Sequence, residues 1–162
     1  MTFAIWHIML CRMATEDRNA VARVGAVLGG REVLGRMPRT NLDLIHSIRD
    51  GLSYAAYEAV AQRVHLTTEE AISSLLIPRR TLARRKNEGS LDVAAGERVV
   101  RLARLAARAL EVFDGDDDAV ARWLRTPLRA LGDASALSLV DTDLGAQEAL
   151  DVLGRLEQGV FS

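Results

Sequence analysis

Ile77–Gly89 reads I-P-R-R-T-L-A-R-R-K-N-E-G and sets five cationic side chains on one short segment. Pro78 suits the first turn of a helix, where its missing N–H breaks no hydrogen bond. Gly89 suits the far end, where a left-handed residue is commonly needed. The two marks predict a helix of about three turns. Leu82 then faces inward, and Arg79, Arg80, Thr81, Arg84, Arg85 and Lys86 crowd the other faces. Guanidinium groups so arranged can pair with phosphates or reach guanine edges in a major groove. A solvated surface helix has the same composition, so the neighbouring sequence must decide.

Upstream, Thr67-Thr68-Glu69-Glu70 supplies a capping box, with Thr67 and Glu70 each able to satisfy a backbone N–H of the other. Ala71, Ile72, Leu75 and Leu76 follow as an inward stripe at helical spacing. Two short helices joined by a three- or four-residue turn form a helix-turn-helix, whose second helix lies in the groove. That context favours DNA over plain solvent. The turn departs from the usual pattern: it carries Leu76 and Ile77 and no glycine, so it avoids a left-handed residue or holds one at a cost.

Before the pair, Leu42, Leu44, Ile45 and Ile48 precede Gly51 and predict a helix with a glycine stop. Ser53 then caps Tyr54–Val64, where Tyr57, Val60, Ala61 and Val64 repeat at helical spacing. Asn19–Arg39 mixes valines and leucines with Gly25, Gly29, Gly30 and Gly35, matching neither G-x-G-x-x-G nor a P-loop. A short helix, a Gly-Gly turn and a small extended piece are expected there. Residues 1–40 thus read as a partly irregular N-terminal arm.

After the pair, Asp92 is the expected N-cap of a long helix to about Phe113, with Val99, Leu102, Ala103, Ala106, Leu110 and Phe113 on one face. Arg98, Arg101, Arg104 and Arg108 cluster on another face, which fits phosphate contact, an acidic partner or solvent equally well. Asp114–Asp118 has only a superficial likeness to a calcium loop, because Arg125 stands where the twelfth-position Glu belongs. Its carboxylates suit the start of the next helix, Ala119–Arg125, which ends before Pro127. Trp123 reads as core, or as an interface anchor. Thr142 or Asp143 caps a last helix carrying Leu150, Leu153 and Leu156, and Val160 and Phe161 follow Gly159 as an apolar tip. Such a tip packs on its own domain or enters another protein's cleft.

The chain has 162 residues, 49% of them hydrophobic, enough for a core and one or two small domains. A net charge of -1 conceals a basic middle and an acidic end, which suits two different partners or two solvated faces. One cysteine, Cys11, excludes an internal disulfide and fits a reducing cytoplasm, and His7, His46 and His65 have no metal-ligand spacing. Phe3–Cys11 is apolar, but it lacks a basic n-region and a cleavage site and is too short to cross a membrane. Met13 opens a more usual beginning for a soluble protein. No nucleophile with a base, carboxylate pair or metal set can be named, so neither an enzyme nor a cofactor is expected.

The ordered motifs I-P-R-R-T-L-A-R-R, G-E-R-V-V-R-L-A-R-L-A, A-R-W-L-R-T-P, A-L-G, L-V-D-T-D-L-G and L-G-R-L-E-Q-G-V-F resemble the Xre/MbcA/ParS antitoxins of type II toxin-antitoxin systems. The likeness runs from about Leu44 to Ser162. It implies an all-α chain: a helix-turn-helix DNA-binding domain over 41–91, then a small helical toxin-binding domain over 92–162. It further implies a cognate RES-domain toxin that depletes NAD, and repression of the chain's own operon. The resemblance puts Trp123, Leu153, Arg155, Glu157, Val160, Phe161 and Ser162 toward the toxin, with Arg122, Leu124 and Pro127 in the surrounding shell. Ala95-Gly96 replaces the family's usual polar Glu-Ser pair, and Asp133 stands where a second glycine often follows Leu-Gly.

Operator DNA would be bound by Arg79, Arg80, Thr81, Arg84, Arg85 and Lys86, through a homodimer whose two helices reach successive major grooves. The alternative is a free-standing helix-turn-helix regulator whose C-terminal helices dimerise or bind an effector. The motifs after Asp92 favour the antitoxin.

Overall fold

A computed structural model of the chain describes residues 18–159, which are mostly helical. The expectations for Phe3–Cys11, Met13 and the tip Val160–Ser162 lie outside the described residues. Helix α1 covers residues 18–27, and α2 is Gly30–Leu34. There follow α3 (Asn41–Arg49), α4 (Tyr54–Arg63), α5 (Thr68–Ser74), α6 (Arg79–Glu88) and α7 (Val93–Val112). Helix α8 (Asp117–Arg125) leads into a small antiparallel hairpin, β1 (Pro127–Leu128) with β2 (Ala134–Ser135), closed by a 3-10 turn at Arg129–Leu131. Helices α9 (Ala136–Leu139) and α10 (Asp143–Glu157) complete the described chain.

The organising element is α7. Ten of its residues are buried, and α3, α4, α8 and α10 all pack against it. Asp92 caps its start, accepting the Ala95 N–H at 2.9 Å. At Gly96 the helix passes Leu52 and Ile48, whose side chains would lie 3.4 and 3.7 Å from an added Cβ, an ordinary contact distance. The glycine that weakens helix propensity thus lies where α7 meets Leu52 and Ile48, with room for a methyl group. One continuous hydrophobic core runs from Val21 through Tyr57, Leu75 and Leu102 to Leu153.

The N-terminal region differs from expectation. The described part of 1–40 combines helix at 18–27 and 30–34 with irregular residues 35–40, and Val21, Val24, Val27 and Leu28 of α1 and its turn are core residues. The extended piece expected after the glycines is the short helix α2, because Gly29 and Gly30, at φ 94° and 67°, reverse the chain into a new helical turn. Gly25 admits the ring of Pro38 against α1, which a Cβ would obstruct. The loop before α3 is thereby pinned to the core.

Candidate nucleic-acid and partner interfaces

Helices α5 and α6 form the anticipated pair. Thr67 and Glu70 complete the capping box, with Glu70 N–H to Thr67 Oγ1 at 3.2 Å and Thr67 N–H to Glu70 Oε2 at 2.9 Å. Helix α6 follows Pro78 and ends at Gly89 with φ 78°. Between the helices, Leu76 adopts φ 50°, so the turn does hold a left-handed residue that is not glycine. Leu76 is also 52% exposed, which removes it from the inward stripe that Ala71 and Leu75 supply. Its left-handed backbone turns the side chain outward.

Leu82 anchors α6 in the core, and the cations distribute unequally around it. Arg79, Arg80, Arg84 and Lys86 are exposed, and Thr81 is half-buried. Three of the four have acidic neighbours at the surface: Arg79 with Glu69, Arg84 with Glu88 at 3.7 Å, and Lys86 with Glu58 at 3.5 Å. Such exposed pairs are weak and exchangeable. Arg85 points elsewhere. Its side chain is only 19% exposed and is held by Glu88 at 2.8 Å and Asp92 at 2.6 Å, so it joins the end of α6 to the cap of α7. The Ala95 N–H, opposed by burial and helped by Arg85, holds the Asp92 carboxyl below its ordinary range.

Three of the four arginines in the α7 stripe are engaged within the chain. Arg98 donates to the carbonyls of Leu75 and Leu76, and Arg101 to those of Val140 and Asp141 at 3.3 and 3.0 Å. These guanidiniums cap the carbonyl ends of α5 and α9 from another helix, where a cation is favoured. Arg108 binds Glu111 at 2.8 Å and grips both oxygens of Glu157. Arg104 is the one exposed member of the stripe. Sequence periodicity finds the stripe but cannot find carbonyls that arrive from distant segments.

The C-terminal residues expected at a partner separate in the same way. Trp123 is 8% exposed, its ring 6.2 Å from Phe113, with a buried indole N–H that lacks a partner among the described residues. Leu153 is fully buried. Both are core residues here, because α8 and α10 turn their apolar faces onto α7. Glu157 is engaged by Arg108, whose hydrogen bond keeps its carboxyl below the ordinary range. Arg155 is exposed. Asp116 caps α8, with Asp117 and Asp118 in its first turn, which bears out capping for the acidic cluster. No group of three or more His, Cys, Asp or Glu able to hold a metal occurs among the described residues, and no described helix is long and apolar enough to cross a membrane.

Two family models match consecutive parts of the chain. The antitoxin Xre-like helix-turn-helix domain matches residues 43–104, and the antitoxin Xre/MbcA/ParS C-terminal toxin-binding domain matches residues 108–159. The two matches meet within α7. Among curated proteins, the chain is similar to Antitoxin Xre of Yersinia enterocolitica serotype O:8 / biotype 1B, 35% identical over 120 residues, covering 74% of this chain and 81% of that one. Antitoxin Xre of Photorhabdus laumondii subsp. laumondii is 33% identical over 84 residues, 51% of this chain and 57% of its own. The Prs ADP-ribosylating antitoxin of Sphingobium sp. is 25% identical over 130 residues, 75% of this chain and 82% of its own.

Proposed function

This chain belongs to the antitoxin Xre family, and on that footing we propose that it neutralises a RES-domain, NAD-depleting toxin and represses its own operon. The observation that carries the reading is the union, in one chain, of an exposed cationic helix within the helix-turn-helix match and a separate toxin-binding match. The chain acts by binding, without chemistry of its own. The name of the Sphingobium relative joins ADP-ribosylation to an antitoxin, and ADP-ribosyl transfer draws on NAD. That makes an NAD-consuming toxin a coherent partner.

In this reading Arg79, Arg80, Thr81, Arg84 and Lys86 meet the operator, while Arg85 fixes the angle of α6 against α7. The surface ion pairs open when phosphates replace carboxylates. A homodimer sets two copies of α6 about one helical repeat apart, in successive major grooves. The toxin-facing set is Arg155 with the tip Val160-Phe161-Ser162. Trp123 and Leu153 support that end of the molecule from within, and Glu157 braces it at the surface through Arg108. The tip obstructs the toxin's substrate entry.

The deciding experiment co-expresses this chain with the product of the adjacent gene and follows intracellular NAD and co-purification. The expected result is a neighbour that drains NAD alone and is both bound and silenced by this chain. If no neighbour binds and NAD stays constant, the free-standing regulator takes over. Removal of Gly159–Ser162 should restore toxicity, and full neutralisation by the shortened chain would reject a plugging tip.

A further inference from the structure

We infer that the cleft between α2 and the start of α3 is a second phosphate site, which grips the DNA backbone beside the groove that α6 enters. The inference rests on the DNA-binding reading above. Arg31, Arg36 and Arg39 line this open cleft of about 300 Å³, together with Met37 and Asp43. All three arginines are exposed. Asp43 is the one carboxylate in the lining, and its oxygens are already committed. Oδ1 takes Arg36 at 3.1 Å, and Oδ2 takes the N–H groups of Arg39 and Thr40 at 2.9 and 3.0 Å as the cap of α3. Neither Arg31 nor Arg39 is in an ion pair among the described residues. Two guanidiniums without a carboxylate partner among the described residues therefore line one concavity, an arrangement that suits an anion.

The cleft is built rather than incidental. Pro38, between Arg36 and Arg39, is buried against Gly25 of α1, so the loop presents its arginines from a fixed backbone. Its position points to nucleic acid. Arg36 shares a neighbouring hollow with Gly51, Leu52 and Ser53. Ser53 pairs with Ser90, and the Tyr54 N–H reaches the Gly89 carbonyl at 2.9 Å. The cationic loop thus adjoins the end of α6 through a single intervening segment. Phosphates recur every 3.4 Å of rise along each strand, and backbone contacts flanking the groove set the register of a recognition helix.

The test uses the full chain with a duplex spanning the region upstream of its own gene and a random duplex of equal length. Arg31→Gln with Arg39→Gln should weaken both complexes about tenfold and reduce the slope of log K against log salt by about 2. Arg31→Lys with Arg39→Lys should keep the slope, and toxin neutralisation should be unchanged. Unaltered affinity and slope in the glutamine variant, while Arg80→Ala with Arg84→Ala weakens binding, would overturn the cleft and leave the DNA reading intact. Failure of the unaltered chain to bind either duplex would remove both. Binding of inorganic phosphate that the glutamine changes abolish, with DNA affinity and salt slope unaltered by them, would make the cleft a small-anion site and overturn the backbone assignment. Loss of neutralisation with DNA binding intact would also overturn it.

Discussion

The guanidinium of Arg125 and the carboxylate of Glu70 meet fork to fork, Nε to Oε1 at 2.7 Å and Nη2 to Oε2 at 2.8 Å. The remaining donors of Arg125 reach the carbonyls of Val64, His65 and Ala121 at 3.1, 2.9 and 2.7 Å. One side chain at the end of α8 therefore closes the carbonyl end of α4 and holds the capping carboxylate of α5. It also spans the two matched parts, since Glu70 lies in the helix-turn-helix match and Arg125 in the toxin-binding match.

Arg125→Ala should cost about 2–3 kcal/mol of stability in urea unfolding, because it orphans partly buried carbonyls as well as a carboxylate. Arg125→Lys should recover little, since an ammonium cannot fork. In a double-mutant cycle with Glu70→Gln, a coupling of about 1 kcal/mol or more is expected. Strict additivity would mean that the two groups touch without stabilising one another.

The same pair sets a pH dependence. Burial raises the Glu70 carboxyl, but hydrogen bonds from Arg125 and the Thr67 N–H outweigh it and leave it below the ordinary 4.5. A carboxylate lowered on folding contributes stability that is complete above its unfolded value and lost as pH falls through the folded one. Thermal melts should hold steady from pH 7 to near 5 and drop below about 4.5, with Glu70→Gln flattening that drop. An identical profile in the variant would assign the acid sensitivity to other carboxylates.

Leu76 and Asp133 occupy left-handed backbone at φ 50° and 62°. Glycine removes the steric penalty there but adds freedom to the unfolded chain. Leu76→Gly should raise stability by about 0.5–1 kcal/mol, its side chain being half exposed. Asp133→Gly should gain less, because aspartate tolerates this region better than leucine. A fall in Tm for Leu76→Gly would show that its side chain has a packing role.

Much of this fold was legible in the sequence because its signals are local. Pro78 and Gly89 bound α6, Thr67 and Glu70 start α5, Asp92 starts α7, and Thr142 starts α10, each through contacts within a few residues. What local signals leave open depends on partners far along the chain. Arg85, Arg98, Arg101 and Arg108 look like a charged surface by composition, yet each is drawn onto a carbonyl or carboxylate of another element. Trp123 and Leu153 have the residue types of an interface, and only the crossing of α8 and α10 over α7 decides that they face inward. Helix α2 replaces the expected extended piece, its five residues being too few to carry a readable periodicity.

Two glycines inside helices should respond oppositely to alanine. At Gly145 a Cβ would collide with the Leu139 carbonyl oxygen and crowd Thr142 Oγ1, the cap of α10. Gly145→Ala should cost about 2 kcal/mol or more, through overpacking and loss of the cap. At Gly96 the nearest atom stands at 3.4 Å, ordinary contact, so Gly96→Ala should be neutral or stabilising by up to about 1 kcal/mol. Equal losses at both sites in chemical denaturation would contradict the crossing described for α7.

Arg84 and Arg85 are neighbours of identical chemistry, and the fold assigns them separate tasks that two measurements can pull apart. Arg84 is exposed, and its contact with Glu88 is long at 3.7 Å. Arg84→Ala should leave stability within about 0.5 kcal/mol of the parent. If α6 enters DNA, the same change should reduce the slope of log K against log salt by about 1. Arg85 is drawn into Glu88 and Asp92, and its Nε is buried without a partner among the described residues. Arg85→Ala should lower Tm by several degrees through loss of a charge-assisted contact to the cap of α7, with the salt slope unchanged. A reversal, with Arg85 governing the slope and Arg84 the Tm, would mean that α6 is rotated about its axis relative to the arrangement described. Equal effects on the slope would place both side chains at phosphates and would require the bond to Asp92 to open on binding.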